Sequence, residues 1–231
     1  MSFPQLKKVE RESIATQVYE TLKQSIVQGT LPSGTHLIET TIAKQMGTSR
    51  GPVREALRQL EADGVVEVRA NVGTFVRALS MEEIQELYTV RSVLEGYAAS
   101  LAAERATPAD IERLQESVEA AIRAAQQGDL RKTATVDFDL HRTIWEIARH
   151  RILFDLLSLL EVRIRMFISL QAPLFKKLMD SIQDHRLIVK AIGDGDAETA
   201  GELVRTHIME AGLLIVEHME EQEDTEQSSE G

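Results

Sequence analysis

The sequence predicts a mainly α-helical protein with one short β-hairpin in its N-terminal third. Apolar residues recur every three or four positions along most of the 231 residues, as they do on one face of an α-helix. Aromatic residues make up only 4% of the chain, while Ala, Leu, Glu, Arg and Gln are plentiful, and this mixture favours helix over sheet. The chain has no cysteine, so disulfides, thiolate nucleophiles and cysteine zinc sites are excluded.

The N-terminal part alternates short helical patterns with turns. Gly29 ends the first helix, and Leu31-Pro32-Ser33-Gly34 is a turn. Thr48-Ser49 caps the third helix, which tolerates Pro52 in its first turn. The predicted helices cover about residues 13–28, 39–46 and 50–62, and two short strands lie near residues 65–68 and 74–76. The order is therefore helix, helix, tight turn, helix, hairpin.

From Ser80 onward the pattern is helical, with short loops. Ser80 and Glu83 form a capping box at the start of the first of these helices. The predicted helices cover about residues 80–104, 107–126, 129–149, 151–170, 174–193 and 196–219. Whether the bundle has six or seven helices depends on the stretch around Ala172-Pro173. We therefore predict three regions: residues 1–78, an all-helical domain over residues 79–220, and a disordered acidic tail at 221–231.

The charge is divided unevenly along the chain, whose formal net charge is −11. Residues 1–78 carry 10 Lys and Arg against 8 Asp and Glu, whereas the remainder carries 16 against 29. Only the N-terminal part therefore suits a polyanionic partner. The N-terminus lacks the apolar stretch of a signal peptide, and residues 151–170 are too charged for a membrane span. We expect a cytoplasmic protein with no membrane partner.

An arginine row follows one side of the third predicted helix. Arg50, Arg54 and Arg58 recur every four residues, beside an apolar stripe that begins at Val53. A helix that is anchored by its apolar side and exposes such a row suits the major groove of DNA, because the arginine fork binds guanine edges or clamps phosphates. Arg69, near the hairpin tip, could reach a neighbouring groove or the backbone.

These segments resemble a known DNA-binding signature. Thr48-Ser49-Arg50-Gly51-Pro52-Val53-Arg54-Glu55-Ala56-Leu57-Arg58-Gln59-Leu60-Glu61, with residues 29–34 upstream and 73–76 downstream, resembles the winged helix-turn-helix of GntR-family transcription regulators. The resemblance implies that Arg50 and Arg54 are the principal DNA contacts, and the further candidates are Ser49, Thr40, Arg58 and Arg69. The chain departs from the family at Glu39-Thr40-Thr41, where a DNA-contacting arginine is usual. Thr40 could still hydrogen-bond a phosphate.

Four polar residues interrupt the apolar faces of the C-terminal helices. Asp137 and His141 are four residues apart on one helix and project together. His185 and His207 lie at similar distances on either side of the turn at 194–195, so an antiparallel helix pair would leave them roughly 5 Å apart along the axis. Buried polar groups need partners. Three imidazoles and a carboxylate form a set suited to zinc, nickel, cobalt, manganese or iron.

This part also resembles a family. Asp137-Phe138-Asp139-Leu140-His141, the later Asp184-His185-Arg186 and His207, and Arg91-Ser92-Val93-Leu94-Glu95 resemble elements of the FCD ligand-binding domain of the FadR subfamily, over about residues 80–217. The resemblance implies that Asp137, His141, His185 and His207 bind a metal that helps to hold a small carboxylate effector. The chain departs from the pattern at Ala148-Arg149-His150-Arg151, where a small-residue turn with asparagine is common.

Two arginines are candidates for binding the effector. Arg91 and Arg163 each lie on an apolar face, where a guanidinium must meet an anion. Arg91 either clamps a carboxylate ligand or pairs with Glu95 one helical turn away. Arg163 could instead pair with any internal acid.

The sequence therefore predicts an N-terminal winged helix-turn-helix joined to an all-helical bundle of six or seven antiparallel helices. The leading hypothesis is a ligand-responsive transcription regulator, a repressor rather than an enzyme, that binds a pseudo-palindromic DNA operator as a homodimer. A small organic acid would change DNA affinity through linkage. One alternative is a metal-dependent hydrolase or lyase fused to a DNA-binding module, although the chain has no HExxH motif. Another is a metal sensor.

Overall fold

The computed structural model describes residues 13–78, 80–170 and 175–229. The chain divides into two compact units, Met1–Arg77 and Ala78–Gly231, and each is described by itself. No helix within these ranges is both long enough and apolar enough to span a membrane.

From residue 13 onward, the first unit contains three helices and a hairpin in the predicted order. They are α1 (Ile14–Val27), α2 (Glu39–Gln45), α3 (Arg50–Ala62), β1 (Val66–Arg69) and β2 (Gly73–Val76). The apolar face of α1 packs on α3, where Val53, Ala56 and Leu60 are fully buried. This packing fixes which side of α3 faces outward, and that side carries the arginine row.

The hairpin forms a small two-stranded sheet. β1 and β2 pair antiparallel, with Val66 opposite Val76 and Arg69 opposite Gly73. His36 bridges to Phe75 in the sheet, and the two rings stack with centroids 4.4 Å apart. Gly73 has φ 141°, and a Cβ at this position would lie 2.3 Å from the His36 ring. The stacked His36 ring therefore requires glycine at the start of β2.

The second unit has six helices within the described residues. They are α4 (Met81–Arg105), α5 (Pro108–Gln126), α6 (Leu130–Ile147), α7 (Arg151–Leu170), α8 (Phe175–Gly193) and α9 (Ala197–Ser229). The stretch around Ala172-Pro173, on which the predicted helix number depended, lies outside the described residues. α4 packs along α9, and a Cβ on Gly96 would lie 3.0 Å from the carbonyl oxygen of Gly201. Glycine therefore allows these two helices to approach closely.

The last helix extends beyond its predicted end. The sequence predicted a disordered tail over residues 221–231, whereas α9 continues to Ser229. Glu and Gln are good helix formers, and the segment has no proline and no glycine before Gly231. Helix propensity therefore acts against the disorder that its polar and acidic composition indicates.

The junction of α6 and α7 shows how the chain accommodates its departure from the expected small-residue turn. Arg149 adopts a left-handed backbone conformation with φ 46°, which is energetically unfavourable for any residue that has a side chain. Its guanidinium donates to the carbonyl oxygen of Arg105 and to Asp110, while Arg105 donates to the carbonyl oxygen of Ala148. These reciprocal contacts offset the backbone cost and fix the start of α7.

Candidate metal centre and DNA interface

Three histidines from three helices meet inside the second unit. His141 on α6, His185 on α8 and His207 on α9 are all buried, and one ring nitrogen of each lies within 4.8 Å of the others. The Nε2 atoms of His185 and His207 are 3.1 Å apart. Two nitrogen ligands at about 2.1 Å from one ion lie roughly 3.0–3.4 Å apart in octahedral or tetrahedral geometry. The spacing of this pair therefore suits two ligands of one metal.

The helix arrangement explains why these residues meet. α8 and α9 are joined by a turn at Gly195, whose φ of 74° favours glycine, and this turn brings His185 and His207 to one level. Asp137 lies one turn before His141 on α6, and its Oδ1 is 3.6 Å from Nε2 of His185. The structure therefore brings the three predicted histidine ligands together and places Asp137 beside one of them, His185.

The protonation state of His185 suits a cation. Burial, and then the neighbouring His207 and His141, lower the pKa of His185 well below its ordinary value. Among the described residues, Nε2 of His141 and Nδ1 of His185 have no hydrogen-bond partner. A buried imidazole nitrogen without a partner is unusual, and a neutral imidazole is the form that binds metals. The residues present therefore fit a divalent transition metal.

A buried carboxylate lies directly behind His141. Oε2 of Glu95 is 2.7 Å from Nδ1 of His141, and Oε1 of Glu95 accepts a hydrogen bond from Nε of Arg91. Burial alone raises the pKa of Glu95, but Arg91 and then His141 outweigh it and lower the value to about 2. A carboxylate in this position fixes the ring orientation and raises the basicity of a metal-binding histidine.

The sequence identified Glu95 only as a possible partner of Arg91. The contact with His141 joins α4 to α6, and no spacing within one helix reveals it. One feature of the sequence does point to Glu95: it lies four residues after Arg91, on a helix whose neighbouring positions are apolar.

The two predicted effector-binding arginines have different surroundings. Arg91 forms the buried ion pair with Glu95 that the sequence offered as the alternative to a ligand clamp. Arg163 is half-buried on α7. Arg91 is close enough to contribute to the lowered pKa of His185, so its charge acts on the histidine cluster.

The predicted DNA-contacting residues lie on the exposed side of the first unit. Arg50 and Arg54 keep 60% and 51% of their side-chain surface exposed. Thr40, Ser49 and Arg58 are exposed as well. An exposed guanidinium row on a helix anchored from behind has the geometry of a recognition helix.

Arg69 occupies a fixed position on the hairpin. Its guanidinium lies over the Phe75 ring, 4.3 Å from the ring centroid, and pairs with Glu67 at 2.7 Å. The exposed guanidinium therefore stays close to the hairpin surface.

Glu39 contacts two of these arginines, which the sequence did not predict. Its carboxylate accepts hydrogen bonds from Arg54 and from Arg50. The hydrogen bond from Arg54 lowers the pKa of Glu39 most, with Arg50 contributing further, to about 2. The sequence showed only that Glu39 begins the second helix, in the segment that departs from the family pattern.

A winged helix with an exposed arginine row, followed in the chain by a helical unit, is the arrangement of a DNA-binding transcription regulator. Comparison with protein families gives the same class. Residues 14–76 match the model of the bacterial regulatory proteins of the gntR family, and residues 86–210 match the FCD domain. The chain belongs to the GntR family of transcription regulators and carries an FCD domain.

Similar proteins span nearly the whole chain. The probable D-xylose utilization operon transcriptional repressor of Paenarthrobacter nicotinovorans is 37% identical, over 92% of both chains. The HTH-type transcriptional regulator McbR of Escherichia coli is 29% identical, over 92% of this chain and 97% of its own. These relatives are regulators of transcription, so the chain is a DNA-binding regulator and not an enzyme. The hydrolase or lyase alternative is therefore set aside.

Solved structures have the same fold. The structure of E. coli McbR superposes with a TM-score of 0.79 at 27% identity, covering 90% of this chain and 99% of that one. A GntR regulator from Rhodococcus sp. RHA1 gives a TM-score of 0.77 at 26% identity, covering 87% and 97%. The winged helix-turn-helix and the helical C-terminal domain predicted from sequence are thus confirmed.

Replacing Arg91 with alanine should strongly destabilise the second unit. The Arg91 and Glu95 side chains are only 3% and 1% exposed, and removing one partner of a buried pair costs about 3–5 kcal/mol because the other charge stays buried. Thermal unfolding followed by circular dichroism on metal-free protein measures the loss. Lys190→Ala, which breaks an exposed pair with Asp194, is the matched control and should change little. Equal melting temperatures for both variants would contradict the expected cost.

Proposed function

We propose that this regulator is a repressor whose operator affinity depends on a divalent metal and a small organic acid bound in its FCD domain. The observation that carries the proposal is the buried cluster of His141, His185 and His207. One relative is described as a probable operon repressor, which supports repression. Ligand binding would change operator affinity by a coupling free energy, typically about 1–3 kcal/mol.

The proposed DNA contacts are on α3 and the hairpin. Arg50 and Arg54 address base edges in the major groove, with Arg58, Ser49 and Thr40 beside them. Arg69 approaches the neighbouring groove or backbone. The exposure of these side chains on a helix buried at Val53 and Leu60 supports this assignment.

Arg50→Ala and Arg54→Ala should each weaken binding to the operator by roughly 1–3 kcal/mol, because a bidentate base contact is lost. Gel-shift titration at fixed salt measures the loss. Arg113→Ala removes the same charge from an exposed pair on α5 and should leave affinity unchanged. If both α3 variants bind as tightly as the wild type, α3 is not the recognition helix.

The proposed metal ligands are Asp137, His141, His185 and His207. A bound ion would act as a Lewis acid and coordinate oxygen atoms of the effector. Glu95 would orient His141, and Arg91 would keep Glu95 ionised. Nitrogen and oxygen donors suit zinc, nickel, manganese, cobalt or iron.

Purified protein should contain about one divalent ion per chain, and His185→Ala and His207→Ala should lose it, since each removes a ligand from a small cluster. Elemental analysis after exhaustive dialysis measures the content. His218→Ala, on α9 but outside the cluster, is the control. The same metal content in the wild type and in both cluster variants would exclude this site.

The proposed effector is a small carboxylate that binds at the metal, with Arg91 supplying positive charge nearby. It should bind only when the metal is present, and Arg91→Lys should weaken it while keeping a cation beside Glu95. Calorimetry with mono-, di- and hydroxycarboxylates tests this. The single tryptophan, Trp145, lies one turn after His141 and gives a fluorescence signal for the same titration. An acid that binds equally well without metal would place its site elsewhere.

If DNA affinity responds to metal alone and to no acid, the protein is a metal sensor. Gel-shift titrations with and without chelator, in the absence of organic acid, distinguish this alternative from the proposed effector mechanism.

The proposed homodimer uses an apolar face of the second unit. Large apolar side chains are exposed along α4 and α7: Val90, Val93, Tyr97, Ile152, Leu156 and Leu159. The Tyr97 ring makes an edge contact with His150 just before α7, so the two rows adjoin. An exposed apolar patch of this kind is typical of subunit interfaces.

The chain should sediment as a dimer, and the double variant Val93→Asp/Leu159→Asp should sediment as a monomer with unchanged helix content, because charges would be buried at the interface. Leu187→Asp, at an exposed apolar position on α8, should stay dimeric. A dimeric double variant would show that another face forms the contact.

A further inference from the structure

The carboxylate of Glu39 accepts hydrogen bonds from both principal arginines of α3, Arg50 and Arg54. Its Oε1 accepts from Nε of Arg54 at 3.0 Å, and its Oε2 accepts from Nη2 of Arg54 at 2.9 Å and from Nη2 of Arg50 at 3.1 Å. Glu39 begins α2, so these hydrogen bonds cross the helix-turn-helix. Its side chain is 27% exposed, about half the exposure of either arginine. The carboxylate is therefore less exposed than the two guanidinium groups that it contacts.

Both arginines meet Glu39 with the same edge of the guanidinium group, formed by Nε and Nη2. A guanidinium carries five donors in a planar fork, so the outer edge formed by Nη1 and Nη2 still has donors to offer. Within the described ranges neither arginine has a further hydrogen-bond partner. The outer edge is a fork that can bind O6 and N7 of guanine. Holding Glu39 and reading a base are therefore compatible.

We infer that Glu39 is a positioning residue that determines DNA sequence specificity by directing the outer edges of Arg50 and Arg54 towards bases. The inference rests on the proposed assignment of these two arginines to DNA contact. Two physical effects act in the same direction. A restrained guanidinium loses less side-chain freedom when it binds a base, which favours the correct sequence. The negative charge of Glu39 also opposes phosphate contacts, which supply most of the affinity for non-specific DNA.

A purely inhibitory role makes a different prediction. If Glu39 only competed with DNA for the arginines, its neutral replacement would raise affinity for every DNA sequence by the same factor. The ratio of specific to non-specific affinity would then stay constant. This ratio, and not affinity itself, separates positioning from competition.

The test uses the full chain and two duplexes. The first is selected by the wild-type protein from a random-sequence DNA library, and the second is a scrambled duplex of the same length and composition. Dissociation constants for both are measured at one salt concentration for the wild type, Glu39→Gln and Glu20→Gln. Glu20 pairs with Lys23 on α1, so Glu20→Gln removes the same charge without touching α3. Circular dichroism checks that each variant is folded.

Glu39→Gln should lower the specificity ratio about tenfold, which is the discrimination carried by one good base contact. The scrambled duplex should bind more tightly and the selected duplex more weakly, and a second selection with the variant should return a less restricted set of sequences. Glu20→Gln should keep the wild-type ratio. A ratio that is unchanged or higher in Glu39→Gln overturns the inference.

Arg54→Ala separates this inference from the assignment on which it rests. If Arg54→Ala leaves binding to the selected duplex unchanged, the proposed DNA contact is itself wrong. If Arg54→Ala weakens binding but Glu39→Gln keeps the ratio, only the inference about Glu39 is wrong. The triple variant Glu39→Gln/Arg50→Ala/Arg54→Ala should have the same specificity ratio as the double variant Arg50→Ala/Arg54→Ala, because Glu39 acts through the arginines. A lower specificity ratio in the triple variant than in the double variant would show that Glu39 does not act through Arg50 and Arg54.

Discussion

The burial of ionisable groups in an apolar bundle is the constraint on which the second unit depends. Unpaired charges in such surroundings cost several kcal/mol, so each group must find a partner. Arg91 holds Glu95, Glu95 lies against His141, and the imidazoles meet one another. Because these residues come from α4, α6, α8 and α9, their contacts fix the relative register of four helices as well as the local geometry.

The same burial gives the cluster its chemical character. A cation near Glu95 keeps that carboxylate ionised, whereas burial and neighbouring rings keep His185 neutral. The result is a neutral imidazole at His185 and an ionised carboxylate behind His141, and both features are expected around a bound transition metal. A ligand at this point would touch residues from several helices, so its binding free energy could bias the conformation of the whole unit.

The ion pairs of the first unit have a different physical meaning. The Arg50 and Arg54 side chains are exposed to water and Glu39 is partly exposed, and ion pairs in such surroundings add little to the free energy of folding. Their value is geometric, since they restrict where two long side chains can point. In the bundle a lost partner would mainly reduce stability, whereas on α3 it would mainly change which DNA sequences are recognised.

The sequence by itself determined most of the elements and the family, and it singled out the three histidines that meet in the second unit. Apolar periodicity and caps locate α3 and α8, and the i, i+4 spacing of Asp137 and His141 places both on one face, because these signals are local to a helix. Tertiary structure decided the partners. Glu95 meets His141, and Glu39 meets Arg50 and Arg54, only after different helices pack together. Side-chain contacts across helices depend on helix rotation and separation, which residue spacing along the chain does not encode.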